Sequence, residues 1–205
     1  MKKRFDIIIS ILIIILELYA FVRMINREHV INFEYYTVLS NALAFLTSIA
    51  YLILYKKKTA FFDNFYFIVT GMMTLTFLVV IFLLVPMYNF DIYWLMIKGS
   101  NLMMHTLCPL LMIVSYTFYN KTKTNKYLSF IPILVYGIPI FILNLTRTFN
   151  GPYPFLKVYE QKVYMTIIWI ILIIIINYLI GVGLIKLNRK FGGNNEYKTR
   201  ESRRE

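Results

Sequence analysis

The sequence predicts an all-α fold, a polytopic membrane protein of six transmembrane helices with both termini cytoplasmic. Three observations lead there. Hydrophobic residues fill 59% of the 205 positions and charged residues only 16%, against roughly 45–50% and 25% in a soluble domain. The apolar residues run in blocks of roughly 20, the length that crosses a bilayer as a helix. The basic residues collect in alternate loops, as the positive-inside rule requires.

Six segments have the necessary length: about 5–24, 33–55, 65–87, 93–119, 127–146 and 164–187. Runs such as Ile7–Leu16 and Ile167–Ile176 lack the two-residue alternation of a barrel strand, so the spans are helices. The first segment follows Met1-Lys2-Lys3-Arg4. It is too long for a signal peptide and lacks a small-residue cleavage site, so it is expected as a retained span. One transmembrane domain, 1–187, is expected, followed by a basic, disordered tail over 188–205 with Gly192-Gly193-Asn194-Asn195 in it. A single cysteine, Cys108, excludes a disulfide scaffold.

The net charge of +12 reports topology. Sixteen of the 22 basic residues fall in the loops on the N-terminal side, among them Lys56, Lys57, Lys58, Lys121, Lys123 and Lys126. Six fall on the other side: Arg23, Arg27, Lys98, Arg147, Lys157 and Lys162. The excess suits anionic lipid headgroups, and no aromatic-basic platform points to nucleic acid.

Polar residues inside spans are costly and face a bundle interior or a cavity. In the second span, Thr37, Ser40, Asn41, Ala44 and Ser48 fall on one helical stripe. The stripe reads either as a small-residue packing face or as a hydroxyl nucleophile among polar neighbours. In the fourth span, Asn101, His105 and Cys108 succeed one another at helical spacing, with Pro109 beyond. Pro109 cannot donate to the carbonyl of His105, so a kink is expected at this level. A histidine there either satisfies a helix–helix hydrogen bond or serves as a general base. At 1.5 Å per residue, Thr37 lies roughly 5–10 Å and His105 roughly 15 Å below the outer end of its span. Glu17, alone in the first span, is expected to be paired, protonated or on a wet cavity. Cys108 and two separated histidines, His29 and His105, make no metal site, and no cofactor motif is present.

Three stretches carry a family resemblance. Asn101-x-x-Met104-His105-Thr106-x-x-Pro109 resembles the N-x-x-M-H-T-x-x-x-P region of the androgen-induced-gene family, which also takes in the androgen-dependent TFPI-regulating proteins. Here the proline comes one residue earlier. Tyr36-Thr37-Val38-Leu39-Ser40-Asn41 resembles the F-T-x-x-S-N signature of short bacterial relatives, as does the loop Pro152-Tyr153-Pro154-Phe155-Leu156. The resemblance implies a multi-pass transmembrane threonine hydrolase of fatty-acyl esters, with Thr37 as nucleophile and His105 as its base. Around that pair, Ser40, Asn41 and Asn101 are candidate oxyanion or supporting groups. Lys98 and Arg147 are candidate contacts for a substrate carboxylate, Glu17 is a possible intramembrane acid, and Met103, Met104 and Phe45 are candidate acyl-chain lining. Three other readings stay open at this level: a small-molecule binding or transport protein, an acyltransferase on the same scaffold, and an assembly protein whose polar stripe only packs helices.

Overall fold

The computed structural model describes residues 2–55, 59–119, 122–149, 151 and 153–192, with backbone alone at 2–4, 28 and 154. Lys56, Lys57, Lys58, Lys121, Pro152 and the tail from Gly193 onward lie outside the described residues. Among those described, the fold is helical throughout, without strands.

Five helices are long and apolar enough to cross a membrane. They are α1 (Lys2–Glu28), α2 (Tyr36–Leu54), α3 (Ala60–Met87), α5 (Lys126–Leu145) and α6 (Val163–Phe191). Between α3 and α5 comes α4 (Leu102–Phe118), which is also apolar but shorter. Large apolar side chains point outward along these helices, among them Ile8, Ile15, Phe61, Val135 and Leu179. A water-soluble protein does not expose such a surface, and the chain is a multi-pass integral membrane protein.

The segment ends collect at two opposite poles. At one, Phe118 sits against both Phe5 and Phe191, with ring centroids 6.0 and 6.2 Å away. Tyr51 donates to Asp6 and Tyr119 to Asp63 at the same pole. At the other, α1, α2, α3 and α4 meet around Met24, Thr37, Leu84 and His105. Successive segments therefore run up and down. The core between the poles combines aromatic side chains such as Tyr66, Phe67 and Tyr116 with small hydroxyl residues. Thr47, Thr70 and Thr117 satisfy their hydroxyls on the carbonyl four residues back, so they cost little inside an apolar bundle.

Proline sets the local geometry in three places. The π turns Val80–Leu84, Leu102–Leu107 and Ile133–Gly137 each end two residues before a proline: Pro86, Pro109 and Pro139. A proline ring clashes with the carbonyl four residues back, and widening the preceding turn by one residue relieves it. In α4 this changes the expected kink. Cys108 donates to Met103, five residues back, so the carbonyl that Pro109 leaves unpaired in this register belongs to Met104 rather than His105.

The expected fourth span, 93–119, is interrupted. A π turn at Tyr93–Ile97 stops at Lys98, which is extended, and Gly99 follows at φ +63°. Glycine adopts that angle without a Cβ penalty. A Cβ there would also come within 3.0 Å of Arg23 Nε. The last helix runs past the expected boundary at 187 to Phe191, because Asn188 is buried and donates to the carbonyls of Tyr116 and Tyr119.

Candidate functional site

The break at Lys98-Gly99 turns the Tyr93–Ile97 segment back on α4, and α4 caps it. Asn101 Nδ2 donates to the carbonyl of Trp94 at 2.8 Å, and Thr106 Oγ1 to that of Met96 at 2.8 Å. His105 Nδ1 lies 2.5 Å from the carbonyl of Leu95. A carbonyl only accepts, so Nδ1 carries the proton, and in the neutral ring Nε2 is left as the acceptor. That tautomer suits a base.

His105 lines a cavity of about 270 Å³ together with Thr37, Asn101, Arg27, Ser100 and Tyr153. Thr37 and His105 thus share one polar chamber, although no hydrogen bond joins them. Their chain neighbours Val38 and Met104 are buried in one cluster with Ala20 and Met24, which forms its floor.

A second, apolar slot of about 80 Å³ adjoins it. Leu75, Val79 and Val80 of α3, Gly137 of α5 and Ile173 of α6 build its walls. Thr37, Tyr153 and Leu84 line both spaces. Of the expected acyl lining, Met104 reaches the polar chamber, while Met103 and Phe45 line neither space.

The second and fourth segments are joined by one amide. Asn41 Nδ2 donates to the carbonyl of Thr37 at 2.7 Å and to that of Met104 at 3.1 Å. The Met104 oxygen is the one Pro109 leaves free. Both Asn41 N–H groups are therefore engaged, and its Oδ1 is buried without a donor. Ser40 Oγ donates to the carbonyl of Thr37 at 2.9 Å and lies 3.0 Å from Thr76 Oγ1. Ser40 and Asn41 hold the backbone of Thr37; Asn101 is the member of the trio on the chamber wall.

Tyr153 is the residue whose place composition and spacing leave invisible. The α2 helix starts at Tyr36 without a cap from its own N-terminal neighbour. Tyr153 supplies one from the distant loop: its hydroxyl accepts from Thr37 N at 3.3 Å and also interacts with the Thr37 side chain. Burial holds this phenol above the usual tyrosine range, the two Thr37 hydrogen bonds opposing that shift. It stays a neutral hydroxyl. The family-like loop had only a resemblance to recommend it.

The expected cationic contacts fall elsewhere. Lys98 is exposed outside the chamber lining, and Arg147 packs its guanidinium over the Tyr159 ring, 4.1 Å from the centroid. The cation on the chamber is Arg27, at the end of α1. Glu17 is fully buried one layer below; neither carboxylate oxygen has a donor at full hydrogen-bond geometry, and the weakly donating Cys108 thiol is its polar neighbour. It pairs with neither Arg23, which bonds Tyr19, nor Asn177, which bonds Ser129. Among the described residues, no group of three metal-ligating side chains converges.

No family model matches this chain, and neither a curated protein nor a solved structure matches it. The functional reading therefore rests on the site itself.

Proposed function

We propose that this protein is a membrane-embedded hydrolase of fatty-acyl lipid esters, with Thr37 as nucleophile and His105 as general base. The observation that carries the reading is the double position of Thr37. It borders a polar chamber containing a base-competent histidine and an apolar slot whose volume takes the first few carbons of an acyl chain, the rest running out between the helices. An ester with its chain in the slot brings its carbonyl to Thr37 and its polar half into the chamber.

In this mechanism His105 Nε2 takes the Thr37 Oγ1 proton through one bridging water, since no direct hydrogen bond joins the two side chains. Oγ1 attacks the ester carbonyl, and the C–O bond to the alcohol breaks as His105 returns the proton to the leaving oxygen. Water, deprotonated by His105, then attacks the acyl carbon; the C–Oγ1 bond breaks, His105 returns the proton to Thr37 Oγ1, and the fatty acid leaves. Asn101, which has one Nδ2 hydrogen beyond its bond to Trp94, and the Tyr153 hydroxyl are the donors for the developing oxyanion; one such donor typically contributes about 10²–10³ in rate. Arg27 takes the place proposed from sequence for Lys98 and Arg147, facing the polar half of the substrate. No cofactor enters these steps.

The same proposal places six crossings in a plasma membrane, α4 with its folded-back entrance completing the set, and both termini in the cytoplasm. The alternation of segment ends between two poles and the excess of lysine and arginine at one of them support it.

Covalent labelling with a fluorophosphonate probe tests the chemistry. Labelling is expected in the wild type and in Ser40→Ala, and absent in Thr37→Ala and His105→Ala. Folded Thr37→Ala and His105→Ala proteins that keep full esterase turnover would show the mechanism to be wrong.

A further inference from the structure

We propose that a groove at the pole opposite the chamber binds the phosphate headgroup of an anionic phospholipid. The groove, about 440 Å³, lies between the first turn of α5 and the last turns of α6. Three cations line it, Lys126, Lys186 and Arg189, and none of the described lining residues is acidic.

The arrangement is built by the packing of the two helices. Gly181 lets the backbone of the α5 first turn come against α6: a Cβ there would sit 2.8 Å from the carbonyl of Lys126. Asn177 pins the same turn by donating to the carbonyl of Ser129 at 2.6 Å. Lys126 is thereby brought to the face of α6 that carries Lys186 and Arg189. Its Nζ donates to Tyr178 Oη at 2.8 Å and stands 4.7 Å from that ring's centroid. A neutral phenol and an aromatic face orient the ammonium without neutralising it.

The surface beside the groove matches the rest of such a lipid. Ile171, Ile174 and Tyr178 continue the stripe of Val182 and Arg189 along one face of α6, and they are exposed and apolar. A phosphate on the three cations leaves its acyl chains lying along this stripe. A basic pocket between helices at a membrane face, continued by an apolar strip, fits an anionic phospholipid and does not fit a soluble anion.

Native mass spectrometry of the full-length protein, titrated separately with phosphatidylglycerol, phosphatidylcholine and glycerol phosphate, tests this. Phosphatidylglycerol is expected to bind more tightly than phosphatidylcholine. Each charge removed is expected to weaken it about fivefold, so about 25-fold for Lys186→Gln with Arg189→Gln. The charge-keeping pair Lys186→Arg with Arg189→Lys should retain the preference, and Lys126→Gln should lose about fivefold, which covers the case of a misfolded double variant. Equal affinity for the two lipids overturns the proposal. So does full preference in the folded glutamine variant, or displacement of the lipid by glycerol phosphate at comparable concentration.

Discussion

Tyr153 caps the helix that carries Thr37 from 116 positions away, its hydroxyl accepting the Thr37 amide at 3.3 Å. Removing that hydroxyl with Tyr153→Phe should cost about 1 kcal/mol, the usual worth of a helix cap. It should also lower ester turnover by about 10²-fold if the same hydroxyl supports the oxyanion. Thermal unfolding and steady-state turnover of one preparation separate the two effects.

The same phenol makes stability depend on alkaline pH. It is held above the ordinary tyrosine range in the folded protein by burial. The unfolded chain ionises this group near pH 10 while the folded one keeps its proton, so the unfolded state binds fewer protons and stability falls as pH rises past about 10. The difference in melting temperature between wild type and Tyr153→Phe should therefore shrink between pH 9 and pH 11. A difference that stays constant across that range would count against the buried, neutral phenol.

Gly99 holds the entrance turn that presents the Leu95 carbonyl to His105. Gly99→Ala places a Cβ at φ +63° and 3.0 Å from Arg23 Nε. We expect a loss of about 1–2 kcal/mol, read as a lower melting temperature. A fall in turnover larger than the stability loss explains should accompany it, because the His105 tautomer depends on that carbonyl.

Pro109→Ala restores the missing N–H and removes the clash that widens the turn. If the turn relaxes to regular α-helix, the residues before it rotate by about 100° relative to those after, the angular step of one residue. Stability should then change by less than about 1 kcal/mol while probe labelling of Thr37 drops, since His105 no longer faces the chamber. Unchanged labelling would separate the π turn from the chemistry.

Gly137 lines the apolar slot, and a Cβ there meets only Ile133 Cγ2 at 3.5 Å, an ordinary contact. Gly137→Leu should fold and shorten the slot. Hydrolysis of a series of acyl esters should shift toward shorter chains, with kcat/KM for the longest falling about tenfold or more.

The helical segments are legible because hydropathy and length act over some 20 residues and survive local irregularity. Thr37 and His105 are each legible as polar residues at comparable depth in the second and fourth spans, and the structure sets both on one chamber; their pairing is legible only through the family resemblance. The interruption at Lys98-Gly99 is not, because the apolar blocks on either side add up to the length of one span. The stretch Lys98-Gly99-Ser100-Asn101 is its local signal, and such a short polar stretch is equally a packing face inside a bundle. Arg27 is hidden by its place at a helix end, where every cation looks like an interfacial anchor; which of Arg27, Lys98 and Arg147 meets the chamber is decided by how the loops fold. Tyr153 has no periodic signal, since a loop residue reaching across 116 positions is fixed by tertiary packing alone.

The Asn41 amide has a mechanical consequence. Its two hydrogens sit on one planar nitrogen, one bound to the carbonyl of Thr37 and the other to that of Met104, the residue before His105. The two halves of the proposed chemistry are therefore tied by a direct hydrogen bond in addition to the helix contacts. While that bond holds, a tilt or roll of α2 carries the Met104 turn of α4 with it, so the spacing of Thr37 and His105 is kept even as the surrounding helix contacts shift.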